Sequence, residues 1–183
     1  MIRALLLAAL LAAPALAQES LQAPDAAPAP EADGPMTPVR LGRILTALDP
    51  SARFTGNGWE IVIEDVPVLI VFDPLADRMR AMVPVRGAEA MTEEELMRVL
   101  QANFDSALDA RYAVANGRLW TVFLHPLRSL ERDQLISGIG QAVNAATTYG
   151  TLYTGGAGQF GSGDSGRLQA ELLERLLDRG RDI

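Results

Sequence analysis

Side chains that commonly perform chemistry are scarce in this sequence of 183 residues. It contains one histidine, His125, and no cysteine. A thiolate nucleophile and a disulfide are therefore impossible, and a single histidine without cysteine cannot anchor an ordinary transition-metal site. No serine or aspartate accompanies His125 in a recognisable catalytic pattern, so we interpret it as a residue at the end of a strand rather than a catalytic base.

The glycine-rich run at residues 156–161, Gly-Ala-Gly-Gln-Phe-Gly, matches the spacing of the dinucleotide-binding glycine motif. That motif requires a strand before it, a helix after it, and an acidic residue about 20 positions further on at the end of a second strand. Only 22 residues of the 183-residue chain follow Gly161, and they contain no strand pattern. We interpret the run as part of a connector, and the sequence predicts no cofactor.

Acidic residues are plentiful, since 23 Asp and Glu oppose 16 basic residues and give a formal net charge of −7. A pair of carboxylates that acts as acid and base meets in space rather than in sequence, so a small hydrolase is a third hypothesis. No cluster of neighbouring arginines favours nucleic acid or an anionic membrane. Four acidic residues have the pattern of turn formers or solvent-facing strand positions: Glu60, Glu64, Asp73 and Asp77. We therefore predict that the protein is not an enzyme.

The first 17 residues have the pattern of a secretory signal peptide. Arg3 precedes an apolar run at residues 4–13, and Ala15, Leu16 and Ala17 form a small-x-small cleavage site. The apolar run is too short to span a bilayer, and no stop-transfer segment follows it. We expect cleavage after Ala17, no stable membrane insertion afterwards, and a periplasmic or secreted protein.

Beyond residues 1–17, composition divides the chain into four segments. Residues 18–38 hold five prolines among Ala, Asp and Glu, which is typical of a disordered linker. Residues 39–150 carry the periodic patterns of one α+β domain. Residues 151–166 form a Gly-rich connector, and residues 167–183 repeat leucine at the spacing of an amphipathic tail helix.

The domain should contain packed helices and an antiparallel sheet of about five strands. A helix is expected from Val39 to Asp49, followed by strand patterns whose first hairpin turns at residues 56–58. Residues 92–95, Thr-Glu-Glu-Glu, fit a capping box. The helix that it begins should run to about Ala110, with an apolar stripe at Leu96, Leu100, Phe104 and Leu108.

The second half of the domain begins with the most distinctive turn of the sequence. Asn116-Gly117 suits a type I′ turn, so residues 111–124 should form a strand hairpin. A third helix is expected from Leu130 to about Thr148. The predicted order is α-β-β-β(-β)-α-β-β-α, followed by the C-terminal helix.

The strand at residues 119–124 is apolar on both faces. A sheet with helices on one face normally has a polar second face, yet Leu119 and Phe123 alternate here with other apolar residues. Such a face indicates an interaction site that the tail helix, a second protomer or an apolar client segment would cover. The tail helix could dock on its own domain, pair with a second copy or bind a partner. The candidate interaction surface consists of Trp120, Val122 and Leu124, together with Leu172 and Leu176 of the tail helix.

The order of elements over residues 39–150, with Asn103 and Phe104 in the capped second helix, resembles the YbjN family, whose members look like type III secretion chaperones in fold. The resemblance implies a curved antiparallel sheet with packed helices, a dimer, and binding of a protein or peptide rather than catalysis. We therefore predict an exported, chaperone-like or regulatory domain that binds a client in the periplasm. A homodimeric structural or regulatory subunit without a client is the alternative.

Overall fold

A computed structural model of the chain describes residues 34–105, 107–149 and 164–181. The predicted signal peptide, most of the linker and the glycine motif at residues 156–161 lie outside these ranges. The helices are α1 (Pro38–Leu48), α2 (Glu93–Asp105), α3 (Arg132–Thr147) and α4 (Asp164–Gly180). The strands are β1 (Arg53–Phe54), β2 (Gly58–Ile63), β3 (Val66–Asp73), β4 (Arg78–Gly87), β5 (Arg111–Ala115) and β6 (Arg118–His125).

These strands form one antiparallel sheet in the order β1-β2-β3-β4-β6-β5. After β4 the chain passes through α2 and returns to the sheet at its edge as β5, and β6 then lies between β4 and β5. The sheet has six strands where about five were predicted. The short member is β1, which pairs with β2 only at Arg53–Glu60 and Phe54–Trp59. The predicted α+β class is confirmed.

Two local predictions from turn and cap chemistry are also confirmed. Asn116 and Gly117 have φ angles of 51° and 69°, as a type I′ turn requires. At the start of α2, the Thr92 N–H donates to the Glu95 carboxylate at 2.8 Å, and the Glu95 N–H donates to the Thr92 hydroxyl at 3.2 Å. This reciprocal pair is the predicted capping box.

Helix α2 ends at Asp105, before the predicted end near Ala110. The buried Gln141 side chain explains the difference, because its Oε1 accepts from the backbone N–H groups of Asp109 and Ala110 at 2.8 and 3.2 Å. These bonds stabilise a loop that returns the chain to β5 and compete with further helical pairing.

Helix α3 packs on one face of the sheet, which we call the inner face, and α4 packs on the other side of α3. Two glycines of α3 allow this close approach. A β-carbon at Gly138 would overlap the Phe123 ring, and one at Gly140 would lie 2.8 Å from the Leu173 side chain of α4. The inner face and α3 therefore form two contiguous layers of the core.

The tail helix α4 docks on its own domain, which is one of the three predicted possibilities. Leu172 and Leu176 have exposed fractions of 7% and 0% and belong to the core that α1 and α3 also line. Arg179 and Arg175 reach the Glu64 carboxylate in the β2–β3 turn at 3.4 and 3.6 Å. Helix α4 therefore lies on the helical side of the sheet, away from the face that was predicted to need a cover. No helix in the described ranges has the length and apolar composition to cross a membrane.

Candidate binding surface

The face of the sheet opposite α3, which we call the outer face, has no helix over it among the described residues. Helices α1 and α3 pack on the inner face, α4 packs on those two helices, and α2 runs beside strand β5. Side chains on a strand alternate between the two faces. Because Leu119, Thr121 and Phe123 are buried on the inner face, the residues between them lie on the outer face.

Strand registers place apolar side chains in neighbouring rows of the outer face. The central row crosses all six strands through Arg53, Glu60, Leu69, Met82, Val122 and Arg111. The next row on one side contains Val71, Arg80 and Leu124. The next row on the other side contains Pro84, Trp120 and Ala113. The apolar residues thus form a continuous patch that crosses β3, β4 and β6.

The structure places three of the five sequence-predicted surface residues together on this patch. Leu124 is 52% exposed, and Trp120 and Val122 are half-buried by their neighbours. The Trp120 indole N–H donates to the Ala115 carbonyl at 3.1 Å, and the Arg118 guanidinium carbon lies 5.9 Å from the centroid of the indole. The indole is therefore oriented by a hydrogen bond and a cation–π contact.

The other two predicted surface residues, Leu172 and Leu176, lie in the core on the opposite side of the sheet. Helical spacing identified an apolar stripe correctly, but it does not indicate which surface the stripe contacts. In this arrangement the two leucines stabilise the domain and are not accessible to a partner.

Arginines on the outer face were not recognised from the sequence. Arg80, Arg111 and Arg118 are exposed, and none forms an ion pair with a described residue. The acidic residues on this face are already engaged. Glu60 pairs with Arg53, and Asp73 accepts hydrogen bonds from the backbone of the β3–β4 turn. The sequence signal that could have placed Arg78 and Arg80 on the solvent side of β4 was their alternation with the apolar residues Met79 and Ala81.

Polar side chains cover backbone groups near both edges of the sheet. The Asp49 carboxylate, just after α1, accepts from the Val62 N–H of β2 at 2.7 Å. The Asn103 amide of α2 donates to the Tyr112 carbonyl of β5 at 3.0 Å and accepts from its N–H at 2.7 Å. These bonds occupy backbone groups that could otherwise pair with another strand.

Helix α2 exposes a second apolar region. Met97, Leu100 and Phe104 are 59%, 60% and 90% exposed, and Leu108 beyond the helix is 59% exposed. The residues of α2 that are buried are Val99 and Ala102. Most of the predicted stripe at Leu96, Leu100, Phe104 and Leu108 therefore faces solvent rather than the core.

A third apolar region is an open groove of about 650 Å³ beside α1. Val39 lines it and is 66% exposed. Trp59 forms its floor and packs so closely on α1 that a β-carbon at Gly42 would lie 2.6 Å from the indole ring. The Phe54 ring centroid lies 5.3 Å from that of Trp59.

The residues considered for catalysis have structural roles. The His125 ring stacks on Phe123 with centroids 5.9 Å apart, and its Nδ1 lies 2.8 Å from the Pro126 carbonyl oxygen. Asp77 adopts a positive φ of 52° and accepts from the Arg128 N–H. Glu64 pairs with α4 as described above. Within the described ranges, no group of three His, Cys, Asp or Glu side chains could hold a metal ion.

Comparison with known proteins identifies the fold. No protein-family model and no curated protein matches the chain. A chain in the crystal structure of the ExsC–ExsE complex is similar, with a TM-score of 0.51 and 13% identity over 62% of this chain and 93% of that chain. The domain has a type III secretion chaperone-like fold. The Yersinia pestis type III secretion chaperone SycH, solved with a stable fragment of YscM2, has a TM-score of 0.44 and 14% identity over 58% of this chain and 96% of its own.

Proposed function

We propose that this protein is not an enzyme and that it binds an apolar segment of a partner protein or peptide on the outer face. The observation that carries the proposal is the continuous apolar patch around Trp120, Val122 and Leu124, over which no described helix lies. Large exposed apolar patches in soluble proteins commonly mark interaction sites. The ExsC–ExsE structure, in which a protein of this fold is part of a complex, supports the proposal by analogy of fold.

We also propose that the chain is a member of the YbjN family that acts in the periplasm. The order of its elements and the signal-peptide pattern of residues 1–17 support this assignment. N-terminal sequencing of the protein from a periplasmic fraction tests the location, and the expected first residue is Gln18. Recovery of the protein only from the cytoplasm, with residues 1–17 intact, would contradict it.

The binding role is tested by selecting 12-residue peptides from an unbiased display library on the purified protein. Affinities of the selected peptides are then measured by fluorescence anisotropy for wild type and Trp120→Ala. We expect the substitution to weaken binding by about 2 kcal/mol, because a half-buried tryptophan in an apolar patch is a typical interface anchor.

Val39→Ala is the matched control, since Val39 lies in the separate groove beside α1. It should leave the affinity unchanged, and circular dichroism should show both variants folded. If Val39→Ala weakens binding and Trp120→Ala does not, the groove is the binding site. If no peptide is enriched, the binding role itself is wrong.

The second candidate function is that of a homodimeric subunit without a client. The exposed stripe of Met97, Leu100 and Phe104 on α2 favours it, because two such stripes could bury each other. Self-association through α2 leaves the outer face free, so both functions can belong to one molecule. Light scattering on the purified protein measures the oligomeric state directly.

A further inference from the structure

The outer face differs in charge from the molecule as a whole. The full chain carries a formal charge of −7, yet the cations of this face outnumber its free carboxylates. Arg80 lies between Val71 and Leu124 in one flanking row of the apolar patch, and Arg118 lies beside Trp120 at the other end of the patch. Neither has a carboxylate partner in the described part of the chain.

This charge pattern disfavours self-association through the outer face. A two-fold symmetric interface brings the same surface of two copies together. It would bury Arg80, Arg111 and Arg118 against a surface whose own carboxylates, Glu60 and Asp73, already have partners. Cations that lose water without gaining a counter-charge are costly, so a second copy is a poor occupant.

We propose that the occupant of the outer face is an acidic apolar segment of another protein, and this inference rests on the binding role proposed above. Its apolar side chains would cover Trp120, Val122 and Leu124, and its carboxylates would meet Arg80 and Arg118. Arg80 is paired with Leu124, six residues along β6 from Arg118. The backbone positions of the two arginines are therefore about 20 Å apart, a distance that about six residues of extended peptide can span.

Local charge matching also accounts for how an acidic protein would hold an acidic partner. Charges separated by more than about 8 Å are largely screened at physiological ionic strength, whereas contacts within the interface are screened less. Attraction by Arg80 and Arg118 can therefore exceed the screened repulsion from distant carboxylates. The apolar patch provides contact area, and the arginines select a partner segment by the sign of its charge.

The first test is the composition of the 12-residue peptides selected on the wild-type protein. We expect enriched peptides to combine apolar residues with at least two Asp or Glu. Enrichment of apolar peptides without acidic residues would overturn this inference and leave the binding role standing. A failure to enrich any peptide would overturn both.

The second test is a double-mutant cycle between the protein and one enriched acidic peptide. We expect Arg80→Gln/Arg118→Gln to weaken binding by about fivefold to tenfold, as two partly exposed charge pairs would. An amide version of the peptide, with Asn and Gln for Asp and Glu, should bind wild type and this variant equally. Equal binding of the acidic and amide peptides to wild type would overturn the inference.

The matched control is Arg43→Gln/Arg128→Gln, which removes the same total charge at exposed positions on α1 and on the loop before α3. It should change the affinity by less than about twofold, because distant surface charges are screened. An equal effect of the two double variants would show a response to net charge alone and would contradict the assigned site.

Discussion

Asp49 stabilises the junction between helix α1 and the sheet. Its carboxylate accepts from the Ser51 N–H, the Ser51 hydroxyl and the Val62 N–H at 2.8, 2.6 and 2.7 Å. Burial alone would raise the pKa of this carboxyl, but the three hydrogen bonds outweigh burial and hold its pKa below the ordinary value. The charged form is therefore the one that the fold favours.

The expected result for Asp49→Asn is a loss of about 1–2 kcal/mol in the free energy of unfolding at pH 7, because bonds to a charged acceptor are replaced by bonds to an amide. The lowered pKa means that the stabilisation is present above the unfolded-state value of about 4 and is lost as the pH falls through the folded-state value. Urea unfolding should therefore show a smaller difference in unfolding free energy between wild type and variant at pH 3 than at pH 7.

Asp133→Asn is the control. Asp133 pairs with Arg132 at the surface, and its side chain is 64% exposed. Its effect should stay below about 0.5 kcal/mol at either pH. If the difference between wild type and Asp49→Asn were the same at pH 7 and pH 3, the charged state of Asp49 would not be the source of its stabilising role.

At the scale of single residues, the sequence predicted the features whose contacts involve residues close by in the chain. The acidic turn residues and the Thr92–Glu95 capping box follow from neighbours within a few positions, and the structure agrees with both. The surroundings of Arg80 depend on its neighbours across the sheet, Val71 of β3 and Leu124 of β6. Strand β6 is distant in sequence, and it lies beside β4 only because of the order of strands in the sheet. The sequence therefore shows that these arginines are present, but it does not show that they share one surface.

At the scale of elements, hydrophobic periodicity predicted the helices and strands but not the partner of each apolar face. Helix α2 shows this most clearly, since its capping box and apolar stripe were predicted but the stripe faces solvent. A period of 3.6 residues shows that one side of a helix is apolar. It contains no information on whether that side packs within the chain or against another molecule.

Phe104→Ser tests whether α2 mediates self-association. Phe104 is 90% exposed, so its loss should not lower the unfolding free energy of a monomer. If α2 stripes pair between two copies, the substitution should weaken the dimer by at least about 2 kcal/mol, as for an aromatic anchor. Light scattering over a range of concentrations should show a wild-type dimer and a monomeric variant.

Leu75→Ser provides the control, because Leu75 is 98% exposed in the β3–β4 turn, away from α2. It should leave the dimer intact. A wild-type protein that remains monomeric at every concentration would rule out α2 pairing as the reason for the exposed stripe.

At the scale of the whole molecule, the described residues form a sheet, a layer with α3, and α4 on top of α3. The sequence suggested three places for the tail helix, and it could not choose among them because an apolar stripe fits any apolar surface. Contacts that are distant in sequence determine the outcome: Gly140 admits Leu173, and Glu64 binds Arg175 and Arg179. The outer face remains available as a result.

Leu176→Ala tests the docking of α4 on its own domain. Leu176 is fully buried, so the substitution should lower the unfolding free energy by about 3 kcal/mol. Glu174→Ala, on the exposed side of the same helix, should change it by less than about 0.5 kcal/mol. Both variants are best compared in a Phe104→Ser background, so that pairing of α2 does not contribute.

Within one chain, the unfolding midpoint is independent of protein concentration, whereas exchange of α4 between two chains makes the midpoint rise with concentration. Equal effects of the two substitutions would contradict the docked position of the helix, and a concentration-dependent midpoint would show that α4 is donated by a second copy.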